Sequence, residues 1–337
     1  VGREWERIKN YNLGLDFSLF NSRLTGTAEV YMKRNDNMLI NVSYPGVLGD
    51  NAGMSNNGKF RSHGWEVMVN WSDKIGKDFT YHVGGTYSFN TNKLTDIGAV
   101  SVLKSGFVDK QQGYPLNSIF GLRYAGKAQT EEERQKYLYR FLTGNTIGLT
   151  EQNFRLGDNM YADVNNDGKL DQNDIVYLGT DDPKISFSFN VGAEWKGFSI
   201  FAQFYGVNNV TREVNFPTFR STAHVAYAEG DYWTPDGSAT LPAPRWGTTI
   251  DQAASGTRYW YDGSYLRLKN DELSYTFQKS NWLKKMGIKN CRIYLNGDNL
   301  YMWTKMPDDR ESNTGYSSSD GAYPTMRRFN LGIDITL

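Results

Sequence analysis

The sequence has little cysteine, no net charge and no long apolar run. Cys291 is the single cysteine among 337 residues, so no disulfide can form within the chain. The 37 basic side chains are balanced by 37 acidic ones, which argues against a nucleic-acid partner because such a partner needs a basic surface. No stretch approaches the ~18 consecutive apolar residues of a membrane helix. This absence does not exclude a membrane β-barrel, because the strands of such a barrel are short and alternate apolar with polar side chains.

Catalytic motifs are scarce as well. His63, His82 and His224 lie far apart, and no metalloprotease, serine-hydrolase or phosphate-loop motif occurs. The acid pairs at 181–182 and 308–309 stand in loops without a supporting pattern, so solvated side chains are the simpler interpretation. The sequence therefore predicts that the protein is not an enzyme.

Aromatic residues, glycine and period-two alternation are abundant. The chain has 22 Tyr, 18 Phe, 9 Trp and 34 Gly. In 11–19, 185–195 and 329–337 every second residue is apolar, which is the signature of a strand with two different faces. Such runs match the ~9–11 residues of a tilted membrane strand. A soluble glycan-binding β-protein is the alternative, but sandwich strands are usually shorter, about 5–6 residues.

Further strands and their links follow a pattern of short and long connections. Strands are predicted at 24–32, 62–72, 79–89, 198–205, 264–277 and 291–303. Links at 21–22, 73–78 and 196–197 are short, whereas those at 34–60, 91–183, 207–263 and 305–324 are long. Short periplasmic turns and long outer loops are typical of outer-membrane barrels. The segment 91–183 is expected to be a long extracellular loop region that holds either no full strand or two, at 119–125 and 160–164.

The predicted fold class is all-β, a transmembrane antiparallel β-barrel with long extracellular loops. The chain is expected to supply about ten to twelve strands. An open sheet of that size would leave unpaired backbone groups in lipid, so we expect the first strands of the barrel to lie upstream of this chain. One helix is predicted after the capping box Thr130–Glu133, within the long loop region.

A series of motifs along the chain resembles one family. The motifs are Asn12–Asp16, Leu19–Leu24, Asn37–Leu39, Asn56–Gly58, Gly64–Glu66, Phe120–Gly121, Asp182–Pro183, Asp262–Asn270, Asp298–Leu300 and Arg328–Phe329. Each is weak alone, but in this order and spacing they resemble the SusC-like (RagA-type) TonB-dependent outer-membrane transporters. The chain departs from the usual pattern in ending on Leu337, since outer-membrane strands commonly finish in an aromatic residue.

The resemblance implies a function, a location and partners. It implies the C-terminal part of a barrel of about 22 strands in the outer membrane of a Gram-negative bacterium, with the N-terminal plug absent from this chain. The implied partners are TonB, acting through the absent N-terminal part, and a SusD-like surface lipoprotein that closes as a lid; a dimer of SusC–SusD pairs is compatible. The implied cargo is an oligosaccharide from glycan breakdown. An importer of peptides, a passive porin and a surface glycan-binding barrel are the alternatives.

The sharpest local motif is an acidic loop at 163–174. Its oxygen donors have the spacing of a twelve-residue calcium loop, with Gly168 at the sharp turn: Asp163, Asn165, Asp167, the Lys169 carbonyl, Asp171 and Asp174. Bound Ca²⁺ is expected to stiffen the loop. The alternative is a turn held by its own side-chain-to-backbone hydrogen bonds.

Aromatic residues crowd the long loops and are candidate substrate contacts. They are Tyr232, Trp233, Trp246, Tyr259 and Trp260. Flat rings stack well on sugar faces. The alternative is that they pack loop against loop or against the lid partner, as aromatic residues commonly do at interfaces.

Overall fold

The computed structural model describes residues 3–41, 54–97, 108–109, 111–145, 148–213, 233–236, 260–277, 283, 285–306 and 325–337. Within them the strands are β1 (Ile8–Leu19), β2 (Leu24–Asn41), β3 (Met54–Ile75), β4 (Phe79–Asp96), β5 (Val108–Asp109), β6 (Ser118–Leu122), β7 (Tyr124–Lys127), β8 (Asn159–Tyr161), β9 (Ile175–Thr180), β10 (Ile185–Trp195), β11 (Phe198–Asn208), β12 (Thr211–Glu213), β13 (Trp260–Asp262), β14 (Tyr265–Phe277), β15 (Asn290–Thr304) and β16 (Arg328–Thr336). Helix α1 spans Glu131–Phe141, and one turn of 3₁₀ helix spans Gln172–Asp174.

Nine of these strands form one antiparallel sheet in the order β1-β2-β3-β4-β10-β11-β14-β15-β16. Each strand pairs with the strand of this sheet that follows it along the chain, so that β4 pairs with β10 and β11 pairs with β14. The described residues therefore give nine strands, fewer than the ten to twelve expected. The candidate strands at 119–125 and 160–164 are not part of this sheet, because β6 pairs with β5 and β9, and β7 pairs with β8.

The short connections are tight turns, as predicted. Lys196 and Gly197 join β10 to β11 with φ values of 48° and 94°. Positive φ at both positions matches the right-handed twist of a two-residue hairpin. A Cβ on Gly197 would lie 2.5 Å from the Thr276 carbonyl oxygen, so glycine is also required by the close approach of β14.

Several strands run further than the sequence indicated. The segment 34–60 was expected to be a loop, but β2 continues to Asn41 and β3 begins at Met54. The expectation was wrong because alternation of apolar and polar residues marks the part of a strand that has one apolar face. Backbone pairing continues past that part, through residues that do not alternate, such as Met38–Ile40. Residues 42–53 lie outside the described residues.

The described residues of 111–180 form a separate unit, here called the loop subdomain. Helix α1 begins with the predicted capping box: the Glu133 N–H donates to Thr130 Oγ1 at 3.2 Å, and the Thr130 N–H donates to Glu133 Oε2 at 3.3 Å. Tyr137, Leu138 and Phe141 are the buried side chains of the helix. They pack in one core with Leu122, Ala128, Leu149, Phe154, Tyr161 and Leu170 from the rest of the unit. In the described part of the chain, no helix has the length and apolarity required to cross a bilayer.

Candidate functional site

One face of the large sheet is apolar and exposed. Register places Val191 of β10 beside Val83 of β4 and Ala202 of β11 on the same face. Every strand of the sheet contributes an exposed large side chain to it: Leu13, Val30, Trp65, Val83, Val191, Ile200, Leu273, Leu295 and Leu331. A continuous exposed apolar surface of this extent marks contact with lipid or protein, and a band across all strands is the pattern of a membrane barrel.

An aromatic row borders this face at the short-turn end of the sheet. Phe79 pairs with Trp195, Trp195 with Phe198, and Phe198 with Tyr275, on four adjacent strands. The rings of Phe198 and Tyr275 lie 4.5 Å apart between centroids. Aromatic girdles of this kind mark the level where lipid headgroups meet the hydrocarbon core.

The opposite face is polar and carries a row of side-chain amides. Four amide residues, Asn70, Asn190, Gln203 and Asn270, lie in successive register positions, with Gly84 between the first two and the carboxylate of Asp298 at the end; these six positions on six strands are here called the amide row. The amide groups of Asn270 and Gln203 lie 2.8 Å apart. A Cβ on Gly84 would lie 2.3 Å from Asn70 Oδ1, so glycine leaves room for the neighbouring amides. Spacing along the sequence does not indicate this row, because only the register between strands brings its members together.

Ion pairs lie on the same polar face near the short-turn end. The Arg292 guanidinium pairs with the carboxylate of Glu272 on β14 and lies 3.1 Å from Asp334 on β16. Charged pairs of this kind are unfavourable in lipid but suit a wet or protein-filled lumen. The two faces are therefore an outer lipid surface and an inner polar wall.

Comparison with known families decides which barrel this is. Residues 2–176 match the family described as TonB dependent receptor-like, beta-barrel. The chain belongs to this family. TonB-dependent receptor P26 and TonB-dependent receptor P3 of Formosa agariphila are 28% and 27% identical to it, each over 98% of this chain and 34% of that protein. TonB-dependent receptor SusC of Bacteroides thetaiotaomicron is 23% identical over 98% of this chain and 32% of its own length.

Solved structures agree on the fold of this TonB-dependent receptor chain. The RagAB peptide importer in its open-open and closed-closed states aligns with 99% and 98% of the chain and 35% of the other, at TM-scores of 0.69 and 0.68 and 21% identity. The chain spans about a third of the length of the curated relatives it matches. The predicted SusC-like resemblance, the barrel fold class and the outer-membrane location are confirmed. The curated relatives are named as receptors and not as enzymes.

The acidic loop of the receptor is closed by Asp174, whose side chain is fully buried. Its Oδ1 accepts the Val164 N–H at 2.8 Å, and its Oδ2 accepts the Asp171 N–H at 2.9 Å. Both carboxylate oxygens are thereby used to hold backbone groups at the two ends of the loop.

Asp163, at the start of the loop, is held from two sides. Its Oδ2 accepts the Gly168 N–H at 2.9 Å and the Arg140 guanidinium at 2.7 Å. Burial raises the pKa of Asp163, but these hydrogen bonds outweigh that effect, so the pKa lies below the usual range of a carboxyl group. The carboxylate is ionised and neutralised by an arginine of helix α1.

The middle of the loop consists of side-chain-to-backbone turns. The Asp167 N–H donates to Asn165 Oδ1 at 3.0 Å, and the Lys169 N–H donates to Asp167 Oδ1 at 2.8 Å. No three His, Cys, Asp or Glu side chains converge as ligands of a metal within the described residues. The turn network that was the alternative is present in this arrangement. Calcium binding stays a prediction.

Calcium binding by the full-length receptor is testable by calorimetric titration with CaCl₂. If the loop binds Ca²⁺, the wild type should give a saturable heat of binding, and the double variant Asp167→Asn/Asp171→Asn should not. The reason is that the double variant lacks two charged oxygen ligands. Arg140→Gln should bind more tightly, because it removes the cation that competes for Asp163. Asn173→Ala, a neighbour outside the predicted ligand set, serves as the control. If titration of the wild-type protein with CaCl₂ gives no saturable heat, the prediction of calcium binding is wrong.

Two of the five candidate substrate aromatics lie in described residues. Trp233 is 9% exposed, and its indole N–H donates to Gln129 Oε1 at 2.6 Å, so it packs against the loop subdomain. Trp260 is half-buried on β13, which pairs with β12. Tyr232, Trp246 and Tyr259 lie outside the described residues. Substrate contact by these aromatics stays a prediction.

Proposed function

We propose that the complete protein imports oligosaccharides, the products of glycan breakdown, across the outer membrane with energy delivered through TonB. The observation that carries this proposal is the division of one sheet into a lipid face and a polar inner wall, in a chain of the TonB-dependent receptor family. A wall of this kind encloses a path for polar solutes. The oligosaccharide class is the cargo that the SusC-like resemblance of the sequence implies.

The four side-chain amides of the amide row suit an uncharged polar cargo. Each side-chain amide of the amide row offers both donors and an acceptor without a net charge. Sugar hydroxyls are likewise both donors and acceptors. Peptide backbones share this property, and the RagAB structures are of a peptide importer, so peptides are the second candidate cargo.

The proposed partners follow from the same comparison. A SusD-like surface lipoprotein would close over the long-loop end of the barrel, and TonB would act on a part of the polypeptide outside this chain. A dimer of such barrel–lipoprotein pairs is the proposed assembly. A passive porin or a surface glycan-binding barrel would need neither TonB nor a plug, and the upstream sequence distinguishes these readings. In none of these functions does the protein act as an enzyme.

Uptake by cells tests the proposal. A deletion strain should fail to grow on, or take up, at least one of a panel of fluorescent neutral oligosaccharides, and the full-length gene should restore uptake. Depleting TonB should abolish the restored uptake, whereas uptake that persists without TonB would favour the porin. If the full-length gene restores uptake of peptides but of none of the sugars, the protein is a peptide importer.

A further inference from the structure

A pocket of about 430 Å³ lies at the long-loop end of the large sheet. It is formed by β9, by the segments that enter β10 and leave β11, and by the antiparallel strand pair β12–β13. Its volume falls in the range of small-molecule sites, which is about 300–1,000 Å³. The pocket shares no residue with the acidic loop.

The walls of the pocket are held in place by direct contacts. Thr211 Oγ1 donates to the Leu178 carbonyl at 3.4 Å, and a Cβ on Gly179 would lie 2.0 Å from the same Thr211 oxygen. The Arg212 guanidinium on β12 pairs with Asp181 at the end of β9. The strand pair β12–β13 is therefore fixed against β9 by the close contact of the Thr211 side chain with Gly179 and by an ion pair.

The lining combines aromatic rings with polar groups of both signs. Its chemistry-bearing residues are Tyr177, Trp260, Tyr261, Lys184, Asn208 and Asp262. The Lys184 ammonium forms no ion pair with any part of the chain that the structure describes. The exposed Asp262 carboxylate accepts the Ser264 N–H at 3.0 Å through Oδ1, and within the described residues no hydrogen bond occupies its Oδ2. One cation and one anion leave the lining without net charge.

We propose that this pocket is an extracellular subsite that binds a ring of a neutral oligosaccharide. Trp260 would stack on the ring, while Lys184 donates to its hydroxyls and Asp262 accepts from them. The balance of charge disfavours an acidic sugar, which would face Asp262. A short peptide would present its charges at its ends, not around a flat ring. This subsite rests on the proposed import function and names the class of its cargo.

Binding measured on the full-length protein in detergent tests the subsite. The probes are maltohexaose, xylohexaose and mannohexaose as neutral sugars, with hexagalacturonate and tetra-alanine as the charged alternatives. For a neutral sugar that binds, Trp260→Ala should raise Kd about tenfold, which corresponds to ~1.4 kcal/mol. Trp260→Phe should keep most of the affinity because it retains a ring. Lys184→Met should weaken binding severalfold, because it removes the donor and keeps the apolar stem.

Trp5→Ala is the matched control, since Trp5 is 92% exposed and outside the pocket. Affinities of Trp260→Ala and Lys184→Met equal to wild type would overturn the subsite, and so would binding of hexagalacturonate or tetra-alanine alone. If Trp260→Ala does not fold, the Lys184→Met and Trp260→Phe pair decides. If the pocket variants bind sugars as the wild type does but cells still take up sugars, the subsite is wrong and the proposed function stands. If cells that carry the wild-type gene take up none of the sugars, both the subsite and the proposed function are wrong.

Discussion

Val191→Arg will largely prevent the receptor from assembling in the membrane. The variant Asn190→Arg, changed at the preceding residue, will assemble. Val191 is 44% exposed on the apolar face near the middle of β10. An arginine at the bilayer midplane of a barrel costs about 2–4 kcal/mol. Asn190 lies on the polar face in the amide row, where a charged side chain meets the lumen.

The pair is measured as folded full-length protein in outer-membrane fractions and by urea titration after refolding into liposomes. The two substitutions add the same side chain to adjacent residues, so strand propensity cannot explain a difference between them. Equal assembly of the two variants, or failure of Asn190→Arg alone, would contradict the assignment of the faces.

Phe154→Ala will destabilise the loop subdomain by about 3–5 kcal/mol, the usual effect of removing a buried aromatic ring. Phe154 is 1% exposed, and its ring centroid lies 5.1 Å from that of Tyr137. The Phe154 carbonyl also accepts the Arg134 guanidinium at 2.8 Å, which joins this segment to helix α1. The cavity would loosen the packing of α1, while the large sheet shares none of this core.

Hydrogen exchange of the full-length protein resolves this effect by region. Protection of the α1 amides should fall in Phe154→Ala, and protection of β10 and β11 should not change. Tyr139→Ala is the matched control, because Tyr139 is on the same helix and 93% exposed, and an exposed substitution changes stability by about 0.5 kcal/mol or less. Unchanged α1 protection in Phe154→Ala would show that the helix does not depend on this core.

Sequence predicts the membrane part of this fold well because lipid and water impose opposite demands on alternate residues. For that reason β10 was placed at its observed bounds, 185–195. Where a strand extends beyond the membrane, its residues need not alternate between apolar and polar. The sequence therefore did not predict the end of β2 or the start of β3. In β6 all five residues are buried. A run without alternation indicates a strand covered on both faces, and this signal was available in the sequence.

The candidate sites depend on contacts that sequence spacing does not contain. The spacing of the acidic loop matches a calcium loop, but it gives no sign that Arg140, more than twenty residues away, reaches Asp163. Trp260 was noted for its ring alone. Its place in the same pocket as Lys184 follows from the strand pair β12–β13 lying against β9, which is a tertiary contact. The amide row likewise requires the register of six strands.

Spin labels placed one at a time along β10 test most directly whether this sheet separates lipid from a polar lumen. In a Cys291→Ser background, full-length protein in liposomes would be labelled at positions 186 to 191 and probed with oxygen and with a water-soluble nickel complex. Labels at 187, 189 and 191 should collide mainly with oxygen, and those at 186, 188 and 190 mainly with nickel, so that accessibility alternates with period two. Six positions with one common accessibility, or an alternation of the opposite sign, would contradict the membrane barrel.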